Sequence, residues 1–377
     1  MLGKKAWQNH DGVRYGLFYK GSGIGRYYEF LVSGLSKRGI NIVTAVPEPL
    51  KDSFLRQFSA NSMVEPIFVP YEKFALKSFM SQSNLLRSLE NKVDWFLYPH
   101  VNLPMFVPKK TIVTVHDLIP LTAYWDGSKV KASFFSSLVS RAVRKAYRII
   151  AVSETTKSEL VTMFPQSKDK TVVIYESYEE RLVRIASTLD KRLVDGSYFL
   201  YVGNRKRHKN LGRVIEALSR IIDKSIKFVI AGQKDGGGPD EIETQVKELN
   251  LEHRVLFFVS PSDEVLASLY KGARFLIQPS LIEGFGLPPL EALSLGTPVL
   301  LSDIPIFREI YEDAAEYFDP FSVEDIAEQL QQWVQVEGKP EVDWVKVNRV
   351  MAKFDRENIL NQYMELLQTN WQKEVDL

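Results

Sequence analysis

The chain contains no cysteine at all. Disulfides, thiolate zinc sites and a cysteine nucleophile are therefore excluded together. Histidine is scarce: His10, His100, His116, His208 and His253 are the only five, too scattered in sequence to suggest a metal cluster. No apolar run approaches the roughly 18 residues that a membrane-spanning helix needs. The opening stretch, MLGKKAWQNHDG, has two lysines but no apolar segment behind them, so no secretory signal is expected. Net charge is almost absent as well, at +1. A cytoplasmic protein with no transition metal and no bound cofactor is the simplest expectation.

What is present is ordinary in amount and unusual in arrangement. A chain of 377 residues, 45% hydrophobic and 25% charged, suits a well-packed soluble protein of two or three domains. Residues 1–175 carry 24 Lys+Arg against 13 Asp+Glu, whereas residues 176–377 carry 24 against 34. Two domains with different partners would show such a split. The basic half suits an anionic membrane leaflet or a phosphate-bearing acceptor, or the halves attract each other across a cleft. Much of that charge sits in Lys129–Arg148, which reads as one helix with Phe134, Leu138, Ala142 and Tyr147 near one side. It reads as a surface helix packed on a sheet, and the same charge would let it lie on a membrane. No aromatic–basic or helix-turn-helix pattern points to nucleic acid.

The most informative stretch is 277–303, IQPSLIEGFGLPPLEALSLGTPVLLSD. A β-rich run from Phe275 to Pro279 breaks at Ser280 and turns through Glu283-Gly284-Phe285-Gly286. A helix headed by Pro288 and Pro289 follows, ending at Gly296 before a second β run, Pro298–Leu301. The unit is βαβ, and its turn aims backbone N–H groups where an anion binds. Glu283 and Glu291 flank that position. Carboxylates beside an anion make sense if the ligand also brings hydroxyls that need acceptors, as a nucleotide sugar does.

The Glu283-x7-Glu291 spacing around Gly-Phe-Gly-Leu-Pro resembles the signature of retaining glycosyltransferases of the GT-B type, family 4, also called glycosyl transferases group 1. The resemblance implies an α/β GT-B fold, two Rossmann-like βαβ domains facing each other across a cleft. It runs from about Gly21 to Tyr363 and divides the chain as follows. Residues 1–175 would bind acceptor, 176–196 would link, 197–355 would bind the nucleotide sugar, and a last helix within 356–377 would cross back to the first domain.

Other segments resemble the family residue by residue. Gly23-Ile-Gly25-Arg-Tyr27 is similar to the loop that approaches the donor diphosphate; it lacks the dinucleotide spacing, so no Rossmann cofactor is expected. The resemblance also implies that His116, just after the β run Thr111–Val115, contacts the transferred sugar. Gly203…Arg205…Lys209-Asn210 resembles the diphosphate-binding loop, where Arg205 and Lys209 would clamp phosphate. Gly284, Phe285, Gly286 and Leu287 would bind donor through their backbone, Glu283 through hexose hydroxyls and Glu291 through the ribose. His116, Arg205, Lys209 and Glu283 are thus the expected catalytic residues, with no metal ligands. The implied activity is retaining, metal-independent hexosyl transfer from GDP-mannose or a UDP-hexose. The acceptor would be a glycan or lipid-linked hydroxyl in cell-surface polysaccharide or glycolipid synthesis. A UDP-sugar epimerase and an inactive transferase-like scaffold are the alternative readings. One departure stands out: relatives usually have an Asn-Gly turn where this chain has Glu176-Ser-Tyr-Glu-Glu180.

Overall fold

The structure, a computed structural model, describes residues 14–17, 23–69, 76–178, 181–189, 192–234 and 240–368. Residues 19–22 at the start of the glycine-rich segment, residues 235–239 and the end of the last expected helix lie outside them. Two parallel sheets organise the chain. The first contains β1 (Arg14–Leu17), β2 (Ile42–Pro47), β3 (Val64–Val69), β4 (Trp95–Tyr98), β5 (Thr111–Val115), β6 (Arg148–Ala151) and β7 (Thr171–Val173). Its order is β3-β2-β1-β4-β5-β6-β7. The second contains β8 (Tyr198–Val202), β9 (Lys227–Gly232), β10 (Val255–Val259), β11 (Leu276–Gln278), β12 (Val299–Ser302) and β13 (Glu316–Phe318), ordered β10-β9-β8-β11-β12-β13. Both are doubly wound. In such sheets the strand order reverses at one point, here between β1 and β4 and between β8 and β11. Ligands bind in the crevice beyond the strand ends there.

Each sheet belongs to its own compact unit. One unit comprises the described parts of 1–118, 129–176 and 357–377, the other those of 119–128 and 177–356. In the second, Phe199, Leu200 and Tyr201 of β8 are fully buried, because helices cover both faces of a parallel sheet. The Phe199 ring stacks between Phe228 and Phe275, at 4.5 and 5.3 Å. In the first unit, the helix Gly23–Lys37 packs on the helix Arg356–Gln368. Gly34 is what lets them approach, since a β-carbon there would overlap the Leu360 methyls. Tyr363 reaches Tyr27 through their hydroxyls, and Trp95 Nε1 donates to the Leu367 carbonyl at 2.9 Å.

Several sequence-based boundaries move. Gly23 and Gly25 lie in the first turns of the helix Gly23–Lys37, not in a loop ahead of it. The basic helix runs Lys129–Lys145, and Arg148 already belongs to β6. Its buried face is Val139, Ala142 and Val143, while Phe134, expected on the apolar side, is 58% exposed. The segment 176–196, expected as a linker, holds the helix Arg181–Ser187, which buries Leu182 and Ala186. Seven residues, two of them buried, are too short a window for a helical period to stand out.

Candidate functional site

The crevice beyond β8 and β11 holds most of the expected donor residues. After β8 the chain turns at Gly203 into a short 3-10 turn, Arg207–Lys209, and a left-handed Asn210 starts the helix Leu211–Arg220. Asn210 Nδ2 donates to the Pro320 carbonyl at 2.8 Å and fixes the end of this loop. The other wall is the loop after β11. The two are joined by the backbone, with Leu281 N donating to His208 O at 2.8 Å. That bond places Lys209 opposite Glu283, and Lys209 Nζ donates to Glu283 Oε1 at 2.5 Å.

Glu283 Oε1 collects two further donors, Ser280 Oγ at 2.7 Å and Gln278 Nε2 at 3.3 Å. Burial by itself would raise this carboxyl. The Lys209 charge and hydrogen bond, with help from Ser280, outweigh it and hold Glu283 below the usual glutamate range. Glu283 is thus an anion inside the protein, and its second oxygen, Oε2, takes no hydrogen bond from the described residues. An acceptor-only group with one oxygen open suits a hydroxyl donor. Beside it, His208 has its pKa lowered to about 4 by burial first and by Lys209 second, so its imidazole is neutral.

The Glu283-to-Glu291 string is built as a helix entry. Gly286 is the N-cap of the helix Leu287–Ser294, in a left-handed conformation with φ +94°. A β-carbon there would also stand 2.7 Å from Phe307 Cε1, so the position excludes a side chain twice over. The Tyr311 hydroxyl donates to the Gly286 carbonyl. Phe285 is buried and meets the Phe354 ring edge-on at 5.4 Å, which turns its side chain into the protein. Glu291, 8% exposed, accepts from the Tyr270 hydroxyl at 2.7 Å.

Arg205 is placed differently from a free clamp. Its guanidinium is buried over the Phe257 ring at 4.3 Å. Nη1 donates to Asp240 at 2.8 Å and to Glu243 at 2.9 Å, and Lys234 shares Glu243. Nε and Nη2 are buried with no partner among the described residues. Two idle donors on a buried cation carry a desolvation cost that an incoming anion would relieve.

The remaining candidates belong to the other unit. His116 follows β5, where Nδ1 meets Glu176 Oε1 at 2.7 Å and Nε2 meets the Pro99 carbonyl at 2.8 Å. Both partners are acceptors, so this geometry favours a proton on each nitrogen. Burial opposes this state, but Glu176 overrides it and the His116 pKa is raised. The Tyr27 ring stands edge-on to the imidazole at 4.9 Å. In this arrangement His116 has no ring nitrogen left over for a sugar. Gly23 is exposed with open space at its β-carbon position, and Gly25 is buried.

Sequence reasoning missed Glu176, Asp240, Glu243 and Tyr270. Glu176 had the clearest signal, because it replaces the asparagine expected after β7. The others lie far along the chain from the groups they serve, and no local pattern marks them. Among the described residues, no three His, Asp or Glu side chains form a group able to hold a metal ion, and no helix is long and apolar enough to cross a membrane.

Comparison with known proteins follows the same division. Residues 21–178 match the family description Glycosyltransferase Family 4, and residues 190–350 match Glycosyl transferases group 1. The O-antigen chain mannosyltransferase RfbU of Salmonella typhimurium is 30% identical over 221 residues, an alignment spanning 59% of each chain. O-antigen chain mannosyltransferase B of Escherichia coli is 24% identical over 369 residues, covering 91% of this chain and 95% of that one. Among solved structures, Anabaena HepE in complex with UDP and glucose superposes with a TM-score of 0.71 at 17% identity, over 96% of this chain and 100% of that one.

Proposed function

The chain belongs to the GT-B glycosyltransferases of the family 4 type, and we propose that it transfers a hexosyl group from a nucleotide diphosphate sugar to a hydroxyl of a glycan or lipid-linked acceptor. The setting is the assembly of cell-surface polysaccharide or glycolipid. Mannose is the favoured sugar, because RfbU and mannosyltransferase B are both named as mannosyltransferases, and GDP-mannose is the favoured donor, because a relative from Xanthomonas campestris is named for it; a UDP-hexose is the alternative. The observation that carries the reading is the Lys209–Glu283 pair at the β8/β11 crevice.

In the proposed reaction the bond between sugar C1 and the diphosphate oxygen breaks as the acceptor oxygen bonds C1 on the same face. The departing phosphate oxygen takes the acceptor proton, so configuration is retained and no protein nucleophile is needed. Lys209 supplies charge to the leaving diphosphate, with Arg205 behind it and the backbone from Gly284 to Leu287 around it; Gly23 and Gly25 approach the same diphosphate. Protein cations fill the role that a divalent metal plays elsewhere, so transfer is metal-independent. The arriving diphosphate competes with Glu283 for Lys209 and frees the carboxylate for hexose hydroxyls. Glu291 accepts from the ribose. His116 reaches the sugar through Nε2 by exchanging the Pro99 carbonyl for a hydroxyl, while Glu176 keeps hold of Nδ1.

Exposed side chains of the first unit support attachment to a membrane surface as part of this reading. Val130 and Phe134 are 79% and 58% exposed beside Lys129 and Lys131, and Arg141 holds the neighbouring loop whose Met105 is 68% exposed. Apolar tips ringed by lysine suit the inner face of an anionic leaflet.

The test is thermal stabilisation by GDP, UDP, ADP and dTDP, each with EDTA and with Mg²⁺. Selective stabilisation by one of them, indifferent to EDTA and lost in Glu291→Ala, supports the reading and names the base. Stabilisation by none sinks it in favour of a scaffold, and conversion of a UDP-hexose without acceptor favours an epimerase.

A further inference from the structure

A second charged site lies in the same unit, at the opposite ends of the same two strands. A pocket of about 640 Å³ opens below the starts of β8 and β11, lined by Ser197, Ala273 and four cations: Arg192, Lys271, Arg274 and Lys339. The donor crevice lies beyond the other ends of those strands. Five residues of β8 separate the two, roughly 16 Å at 3.3 Å per residue.

The four cations are held by uncharged groups. Arg192 donates to the Gly196 carbonyl at 2.5 Å, and Lys271 to the carbonyls of Ala186 and Leu189 at 3.2 and 2.8 Å. Arg274 Nη2 donates to the carbonyls of Trp333 and Val336. Lys339 Nζ donates to Thr297 Oγ1 at 2.8 Å, and more weakly to the Lys271 carbonyl. Among the described residues none of the four pairs with a carboxylate, and Arg274 Nε is buried with no partner at all. The Lys339 stem is exposed while its ammonium tucks against the buried Thr297, and that burial lowers its pKa to about 8.

A structural reason for part of this charge is plain. Three helices, Arg181–Ser187, Asp263–Gly272 and Val323–Gln335, end at the pocket, and the cations cap their last carbonyls. Magnitudes show that capping does not use it up. A helix C-terminus carries roughly half a negative charge, so three supply about −1.5 against four cations. The surplus, concentrated in one concave site, is the unusual feature.

We propose that this pocket binds a phosphate-bearing anion, held by Lys271, Arg274 and Lys339, separately from the donor crevice. A phosphodiester or diphosphate has the acceptor oxygens to take the idle Arg274 Nε and the Lys339 ammonium, which is held only by neutral oxygens. The source is either a soluble phosphate compound or the headgroup of an anionic lipid, and the chemistry of recognition is the same.

The experiment is calorimetric titration of the full chain with inorganic pyrophosphate. It compares the parent with Lys339→Gln, Lys271→Gln and, as a control on the donor crevice, Lys209→Gln. We expect Lys209→Gln to retain one binding event and Lys339→Gln to weaken that event tenfold or more. Binding that vanishes in Lys209→Gln, or is unmoved by Lys339→Gln, overturns the proposal. Because Lys271 holds two carbonyls, a second readout avoids substitution. The Lys339 amine of the parent is labelled with an acylating reagent, and pyrophosphate should slow its labelling at least fivefold while leaving Lys129 unaffected; equal rates overturn the site. Flotation with 3:1 phosphatidylcholine–phosphatidylglycerol vesicles separates the sources. Vesicle binding that Lys339→Gln abolishes assigns a lipid headgroup, and pyrophosphate binding without it assigns a soluble ligand.

Discussion

Lys209 and Glu283, 74 positions apart in sequence, form a 2.5 Å ion pair between the loops that follow two neighbouring strands. Each residue depends on the other. Lys209→Ala leaves a buried carboxylate uncompensated and should destabilise the protein by about 3–5 kcal/mol. Removing both charges should cost less than the two single losses combined. Urea unfolding of Lys209→Ala, Glu283→Ala and the double variant checks this, and strict additivity would contradict the pairing. Transfer activity of Lys209→Ala should fall by on the order of 10²–10³.

Arg205 should resist its conservative replacement. A lysine ammonium could meet Asp240 and Glu243 from one atom, as Nη1 does, but it has no planar face to lay on Phe257 and no counterpart of the buried Nε and Nη2 donors. Arg205→Lys is expected to lower stability by about 1–2 kcal/mol, the scale of a desolvated cation–π contact. It should also weaken nucleoside diphosphate binding. A variant with parent-like melting and affinity would show that the guanidinium shape is not used.

The two buried histidines should respond to acid in opposite senses. His116 is raised above its unfolded value, so its contribution is complete below about pH 6.5 and is lost as pH rises through the folded pKa. His208 is lowered to about 4, so its contribution is complete above about pH 6.5 and is lost as pH falls toward 4. The His208 penalty amounts to ~3 kcal/mol at most. Imidazole proton shifts followed by NMR from pH 4 to 9 test both directions. Glu176→Gln should bring the His116 titration down, while leaving His208 where it is.

Gly286→Ala combines a left-handed backbone with a close ring. The conformation alone costs about 1–2 kcal/mol for an L-residue, before the Phe307 ring is displaced. A lower melting temperature is expected, along with weaker nucleotide stabilisation, since the helix entry itself must shift. Unchanged values for both would mean that the loop tolerates another path.

How much of this was legible in the sequence depends on distance along the chain. The helix entry at Gly286 and Pro288 announced itself because cap and proline preferences are set by adjacent residues. The doubly wound order was likewise implied by alternating β runs and helices. What the residues do to one another was not legible. Arg205 looked like a phosphate clamp, and only the fold brings Asp240 and Glu243 to its Nη1. His116 looked like a lone strand-end histidine, whereas Glu176, 60 positions away, takes one of its nitrogens. Phe134 was assigned to a buried face because periodicity gives a phase but not how far a helix overhangs its sheet.

The helix Arg356–Gln368 closes the core of the unit in which the chain begins. That placement sets a timetable for synthesis. Between Glu176, where the first unit's earlier segments end, and Glu357, the ribosome must add 181 residues. At about 5–20 residues per second this takes roughly 10–35 s. Throughout that interval the groove around Tyr27 and Gly34 waits, uncovered, for a segment not yet made. A nascent chain arrested before residue 357 should therefore offer chaperones an apolar surface that the finished protein hides.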